Sequence, residues 1–359
     1  MAKPRLRDLG IHMGVIPTGR YNAITDVAGV RVGHATLIAD EPRMARTGVT
    51  VIFPREEPIW DHHCFAGFHV LNGNGDFTGT HWIDESGLLT TPIAITNTHQ
   101  VGMVRDTLVR YSVEQFGAHE WVMPLVAETY DGWLNDINAF HVQPEHVLSA
   151  IANAHGGAVE EGCVGGGTGM ICYDFKGGIG TASRLVDTPS GRYTVGALVQ
   201  ANHGDRALFR VDGVPVGREV PTSLIPSSWD EPEQPGSIIV ILATDAPLLP
   251  GQCRRLAQRV TIGLARTGSV SGNGSGDLFL AFSTANQHAA DPSEPTRTVA
   301  TVPNDRMDPL FTATVQAVEE AIINALVANQ SMTGRDNRRV DALPHDRIRA
   351  LLGKYNRLK

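Results

Sequence analysis

Gln234-Pro-Gly-Ser-Ile-Ile-Val-Ile-Leu-Ala-Thr-Asp245 is the stretch from which the rest of the chain is read. Proline fixes φ and glycine accepts almost any backbone angle, so Pro235-Gly236 ends whatever precedes it. Ser237 then opens an apolar run, Ile238 to Leu242, rich in β-branched side chains. Such a run between turn signals predicts a strand buried on both faces. A hydroxyl therefore stands at the mouth of a core strand, behind a glycine with an unhindered carbonyl. That layout suits a serine that attacks its own preceding peptide bond. It suits equally a turn serine that satisfies nearby backbone groups.

Outward from this stretch, composition sets the class. The 359 residues are 42% hydrophobic and 19% charged, which is ordinary for a globular protein with a large core. Formal net charge is −8 and no basic stripe is present, so a sequence-independent grip on nucleic acid is not expected. Cys64, Cys163, Cys172 and Cys253 make neither a disulfide framework nor a zinc ribbon. The N-terminus lacks the apolar segment of a signal peptide, and no long apolar run predicts a membrane span. A reducing cytoplasm is the expected location.

Along the chain, strands are predicted at 29–33, 48–54, 93–96, 123–130, 170–175, 178–184, 193–201, 237–242 and 278–283. Helices are predicted at 100–115, 144–154, 252–266 and 308–329, where apolar residues recur three to four apart. Residues 55–80 read as a loop rich in His, Asn and Gly, and proline-rich 202–236 as exposed and linker-like. Many strands with few amphipathic helices predict an α/β sandwich of mainly antiparallel sheets covered by helices. Strict β–α alternation is absent, which excludes a Rossmann sheet.

Several constellations compete for chemistry. Gly162-Cys-Val-Gly-Gly-Gly-Thr-Gly169 matches no phosphate-binding fingerprint, and predicts close backbone packing or a pocket lining. His62, His63, Cys64 and His69 fit no zinc spacing, so neither metal nor cofactor is expected. Ser271-Gly-Asn-Gly-Ser-Gly-Asp277 offers a rival nucleophile, because Ser275 between two glycines resembles a nucleophile elbow. An elbow follows a strand and opens a helix, however, and here the order is reversed. Ser275 and Asp277 read either as turn caps or as support for a nucleophile elsewhere. Glu128 and Tyr130 share a strand face at a polar strand end, where a carboxylate suits a substrate ammonium or an arginine. Asn202 ends another strand with an amide suited to an oxyanion hole.

Four stretches together resemble one family. They are Pro235-Gly-Ser-Ile-Ile-Val-Ile-Leu-Ala-Thr-Asp-Ala-Pro-Leu248, Ala127-Glu-Thr-Tyr-Asp-Gly-Trp-Leu-Asn-Asp136, Val164-Gly-Gly-Gly-Thr-Gly-Met170 and Gly272-Asn-Gly-Ser-Gly-Asp277. The family is the self-processing L-aminopeptidase/D-esterase (DmpA-type) family, which includes the β-peptidyl aminopeptidases. The resemblance runs from Gly29 to at least Phe282 with the motifs in order. It implies a single four-layer αββα sandwich, similar to Ntn hydrolases but differently connected. It also implies self-cleavage at Gly236–Ser237 into fragments 1–236 and 237–359 that stay associated. By position, Ser237 matches the nucleophile, Ser275 the second serine, and Asp277 the acidic residue that orients the pair. Asn202 matches the oxyanion donor, Glu128 the carboxylate that takes the substrate's amino group, and Tyr130 a neighbouring pocket residue.

The function so implied is an aminopeptidase or amidase acting on small peptides, amides or esters with a free amino group. A homo-oligomer, a tetramer of cleaved protomers, is expected. Two alternatives stand beside it. One is an acyltransferase of the ornithine acetyltransferase type, which uses a threonine where this chain has Ser237. The other is an uncleaved, non-enzymatic homologue.

Overall fold

A computed structural model describes residues 3–56, 58–116, 121–189, 191–227, 236–287 and 295–358. In chain order the strands are β1 (Arg31–Ala39), β2 (Ala45–Phe53), β3 (Cys64–Gly73), β4 (Leu88–Leu89), β5 (Ile93–Asn97) and β6 (Leu125–Thr129). They continue with β7 (Ile171–Cys172), β8 (Phe175–Lys176), β9 (Gly178–Thr188), β10 (Gly191–Asn202), β11 (Ser237–Thr244), β12 (Gly276–Ser283), β13 (Met332–Thr333) and β14 (Arg339–Val340). The helices are α1 (Thr80–Ser86), α2 (Val101–Phe116), α3 (Pro144–Ala152), α4 (Val216–Glu219), α5 (Pro250–Arg266), α6 (Asp308–Val327) and α7 (His345–Lys354).

The layers follow from the alternation of side chains along β11, every residue of which is buried. Ile238, Val240 and Leu242 point to one face and join Leu256, Val260 and Leu264 of α5 with Val318 and Ile322 of α6. Ile239, Ile241 and Ala243 point to the other, against Ile52, Ile93, Ile95 and Leu125 of a second sheet. That second sheet turns Val49, Val51, Ala94 and Val126 outward onto Val104 and Leu108 of α2 and Val147 and Ala150 of α3. Helix, sheet, sheet, helix is the resulting order, the αββα sandwich expected. Each apolar side chain buried this way contributes roughly 1.5–3 kcal/mol before entropy is counted.

The four-stranded sheet runs β1-β2-β5-β6, and the six-stranded sheet runs β4-β3-β12-β11-β10-β9. Pairing is antiparallel except for β5 with β6 and β11 with β12, which are parallel. Helix α6 is long and apolar enough to cross a bilayer by length and composition, but 89% of that window is buried inside the protein.

Three expectations need correction. Residues 55–80 are not all loop, because β3 is an interior strand of the six-stranded sheet, between the short edge strand β4 and β12. Its inward side chains, Cys64, Ala66 and Phe68, alternate with Phe65, Gly67 and His69, a mixed set that dilutes the apolar signal. Residues 202–227 are not a linker: Phe209, Val211, Val214, Val216 and Val220 sit in the core beneath α5 and α6. The strand expected at 170–175 is a tight hairpin, β7–β8, turned at Tyr173 and Asp174, whose φ values are 51° and 59°.

Candidate active site

Three adjacent strands end at one level. On β11, Ser237 lies opposite Asn202 of antiparallel β10 and opposite Gly276 of parallel β12. The residue is 5% exposed. The Ser237 hydroxyl donates to the carbonyl oxygen of Gly236 at 2.7 Å. Gly276 N–H lies 3.1 Å from that same oxygen and 3.3 Å from Ser237 Oγ. The nucleophile candidate therefore touches its own preceding peptide bond, and a backbone donor is aimed at the carbonyl. Pro235, the other half of the turn signal, lies outside the described residues.

Ser275 and Asp277 flank Gly276. Ser275 Oγ donates to Asp277 Oδ1 at 2.7 Å, so the two act as a unit, although Ser275 stands one residue before the strand begins. A second hydroxyl, Ser271 Oγ, donates to Asp277 Oδ2. Burial pushes the Asp277 carboxyl up to about 6, against the pull of the Ser275 hydroxyl and the Ile238 backbone. The loop that carries these serines is tied to the end of β3. Asn72 Nδ2 donates to the carbonyls of Gly272 at 2.9 Å and of Ser275, and Asn74 Nδ2 to Gly274 O at 2.7 Å.

Asn202 is held at both ends of its amide. Ile171 N–H donates to its Oδ1 at 2.8 Å, and its Nδ2 donates to Tyr130 O at 2.9 Å. Tyr130 thus joins the site through its backbone carbonyl; the residue itself is 36% exposed.

Glu128 projects from β6 of the other sheet, which packs against β11 at this end of the sandwich. Only 3% of it is exposed. The Asp76 N–H donates to its Oε1 at 3.0 Å and the Thr98 hydroxyl to its Oε2. Burial holds the Glu128 carboxyl above the usual carboxylate range in spite of these donors, and the Asp76 carboxylate nearby adds to the rise. No arginine or lysine pairs with Glu128 among the described residues. Gly75 joins the two halves: a Cβ built there would lie 3.2 Å from Glu128 Oε1 and 3.3 Å from Gly276 Cα.

The structure thus gathers Ser237, Ser275, Asp277, Asn202, Glu128 and Tyr130 at one end of the inter-sheet layer. The arrangement supplies a hydroxyl, an amide donor and a backbone N–H around one point, and a buried carboxylate beside it. Acyl transfer with a positively charged group on the acyl side is the chemistry those parts suit. Sequence reasoning missed Ser271, Thr98, the Asp76 N–H, Gly276 and the pair Asn72 and Asn74. The signal available for the asparagines was Asn72-Gly-Asn-Gly75 at the end of an unrecognised strand.

The other constellations go elsewhere. Gly165 N–H and Gly166 N–H donate to Thr36 Oγ1 at 2.8 Å and Thr50 Oγ1 at 3.2 Å, which makes the glycine-rich loop a packing element on β1 and β2. Cys64 Sγ accepts from buried Arg55 at 3.0 Å, and His69 faces Phe279 across the β3–β12 pair. Among the described residues no group of three or more His, Cys, Asp and Glu side chains is arranged to hold a metal ion.

Comparison with known proteins places this site in context. Over 375 residues the chain is 47% identical to the beta-peptidyl aminopeptidase BapA of Sphingosinicella microcystinivorans, covering 99% of this chain and 93% of that protein. A solved beta-aminopeptidase from Burkholderia sp. superposes with a TM-score of 0.92 at 54% identity, over 98% of this chain and 99% of that one. The L-aminopeptidase D-Ala-esterase/amidase of Ochrobactrum anthropi, described as a new variant of the Ntn hydrolase fold, gives a TM-score of 0.92 at 47% identity. Coverage there is 99% of this chain and 100% of the other. The profile of Peptidase family S58 matches residues 22–340, and with these relatives it establishes that the chain belongs to that family.

Proposed function

We propose that this chain, an aminopeptidase of family S58, is made as a precursor that cuts its own Gly236–Ser237 bond. It then uses Ser237 as an N-terminal nucleophile on small peptides, amides or esters with a free amino group. The observation that carries this reading is the 2.7 Å contact between the Ser237 hydroxyl and the Gly236 carbonyl, with Gly276 N–H 3.1 Å from the same oxygen. In self-cleavage, Ser237 Oγ attacks the Gly236 carbonyl carbon while Gly276 N–H holds the developing oxyanion. The C–N bond then breaks, the hydroxyl proton ends on the freed nitrogen, and water hydrolyses the ester.

The products are a Gly236 carboxylate and a Ser237 with both a hydroxyl and an α-amine. An α-amine has an ordinary pKa of about 7.7–8.0 and accepts a proton near neutral pH, which the precursor's amide nitrogen does not. In turnover that amine takes the proton of Oγ as Oγ attacks the substrate carbonyl. Asn202 Nδ2 and Gly276 N–H stabilise the oxyanion, Ser275 with Asp277 supports the amine, and Glu128 takes the substrate's ammonium. The leaving group departs with the proton, and water releases the N-terminal residue from Ser237. Assembly of cleaved protomers into a tetramer completes the proposal, as does a reducing cytoplasm, which suits the free thiols of Cys64, Cys163, Cys172 and Cys253.

Ser237→Ala tests the reading. The variant is expected to run as one uncut chain and to leave an amino-acid p-nitroanilide unhydrolysed. Wild type is expected to run as two fragments of about two thirds and one third of the chain. A variant that still splits, or still turns over the anilide, would contradict it.

A further inference from the structure

Lys176 is wholly buried, and no carboxylate pairs with it among the described residues. Its ammonium is spent on two carbonyls: Nζ donates to Gly177 O at 2.7 Å and to Met170 O at 2.8 Å. Burial lowers its pKa to about 8, so it remains charged at neutral pH. The backbone around it is clamped as well. Lys176 N–H donates to Asp341 O at 2.9 Å, and Asn329 Nδ2 donates to Lys176 O at 2.9 Å. A charge held this way, unpaired and inside the protein, is costly to keep. It sits across the β7–β8 pair from Ile171, and Ile171 touches the active site.

The connection runs through one peptide unit. Its oxygen, Met170 O, accepts from the Lys176 ammonium and also from Gly177 N–H at 2.9 Å. Its nitrogen, Ile171 N, donates to Asn202 Oδ1 at 2.8 Å. An amide side chain has nearly the same shape when turned end for end, so only its partners decide which end faces a reacting centre. With Oδ1 on Ile171 N–H, the NH2 is the end that faces the site. One N–H is taken by Tyr130 O at 2.9 Å, and the other remains for an oxyanion at Ser237, the neighbour of Asn202 across the sheet. Hydrogen bonds in series polarise one another, more so at low dielectric, and a cation at the head of the series strengthens the donor at its tail.

We propose that Lys176 is a positioning residue for the oxyanion site. Through the Met170–Ile171 peptide it fixes the Asn202 carbonyl on Ile171 N–H and keeps the Asn202 NH2 turned toward Ser237. The inference rests on the reading of Asn202 as an oxyanion donor.

A double-mutant cycle on the cleaved enzyme tests both statements separately, with kcat and KM measured on an amino-acid p-nitroanilide. Asn202→Ala alone tests the reading of Asn202: a kcat loss of roughly 100-fold or more is expected. An unchanged kcat there would overturn that reading and, with it, the basis of the inference. Lys176→Met alone is expected to lower kcat by roughly 10- to 100-fold while KM moves less than about twofold. In the Asn202→Ala background it is expected to add less than about twofold, because its effect passes through Asn202. Lys176→Arg, which keeps charge and donors, is expected to recover most of the lost kcat. Equal losses in both backgrounds, a loss confined to KM, or no loss at all would overturn the proposal. If Lys176→Met does not fold, Lys176→Gln takes its place. Failure of both neutral variants to fold, with Lys176→Arg folded but no better than wild type without Asn202, would make Lys176 a stability residue and overturn the proposal equally.

Discussion

Asp277 shows how one group couples stability to activity. Its carboxyl is raised from 3.8 to about 6 by burial, so folding favours the protonated form. The group's stabilising contribution is therefore fully present below about pH 4 and is lost as pH rises through about 6. A shift of this size corresponds to an order of 2–3 kcal/mol. As the ionised acceptor of the Ser275 and Ser271 hydroxyls, however, it holds the donors beside Ser237 in place. Asp277→Asn is thus expected to raise the stability of the folded protein at pH 8 by an order of 2 kcal/mol, read from the urea midpoint. The same change should lower kcat roughly 100-fold and remove the part of the acid-side fall in activity expected near pH 6, leaving the part expected from protonation of the Ser237 α-amine. A variant as active as wild type, with the acid limb intact, would remove Asp277 from the site. At this scale the sequence displayed the hydroxyls and carboxylates but not their pairing. Ser271 stands in the same glycine-rich motif as Ser275, and no periodicity in such a loop says which hydroxyl turns inward. Tyr130 is expected as a pocket residue, and its backbone carbonyl makes the contact with Asn202.

Elements with strong periodicity were legible: α2, α5 and α6 and strands β2, β5, β10, β11 and β12 stand where their apolar patterns put them, within a few residues. Strand β3 was hidden because its outward face carries His69 and Asn72, and glycines interrupt it at 67 and 73. The segment around Phe209 and Val216 was hidden for a different reason. It is irregular but buried, and sequence punctuation by Pro, Gly and Asp reports irregularity, not exposure. The cost of missing β3 was local to function, since its end supplies Asn72 and leads into Gly75 and Asp76. Gly276 has to be glycine for the same packing reason: a Cβ there would lie 2.5 Å from Asn74 O and 2.9 Å from Gly75 Cα, both backbone atoms. Gly276→Ala is expected to push the 73–76 loop outward and draw the Asp76 N–H from Glu128. The expected result is a several-fold rise in KM for a free-amine substrate and a destabilisation of roughly 1–3 kcal/mol. Unchanged KM and urea midpoint would show that the loop yields freely.

For the molecule as a whole, three of the four layers follow from β11, whose two faces belong to two different cores, and the outer face of the second sheet adds the fourth. The pairing of β11 with β12 in parallel, and of both with strands far away in the chain, could not be read from local pattern. It nevertheless decides what cleavage would do. Strands β11 and β12 lie between β3 and β10, so a chain cut at Gly236–Ser237 keeps its second fragment hydrogen-bonded on both sides to its first. Such a cut would change the chemistry of one nitrogen and leave the pairing of β11 and β12 with β10 and β3 in place. The most direct test follows intact mass and anilide hydrolysis together on freshly made protein, from precursor to end point, under native conditions. The account predicts that activity rises in proportion to the fragment beginning at Ser237, and that both fragments elute as one species. Full activity in uncut chain, or cleavage at any other bond, would contradict it.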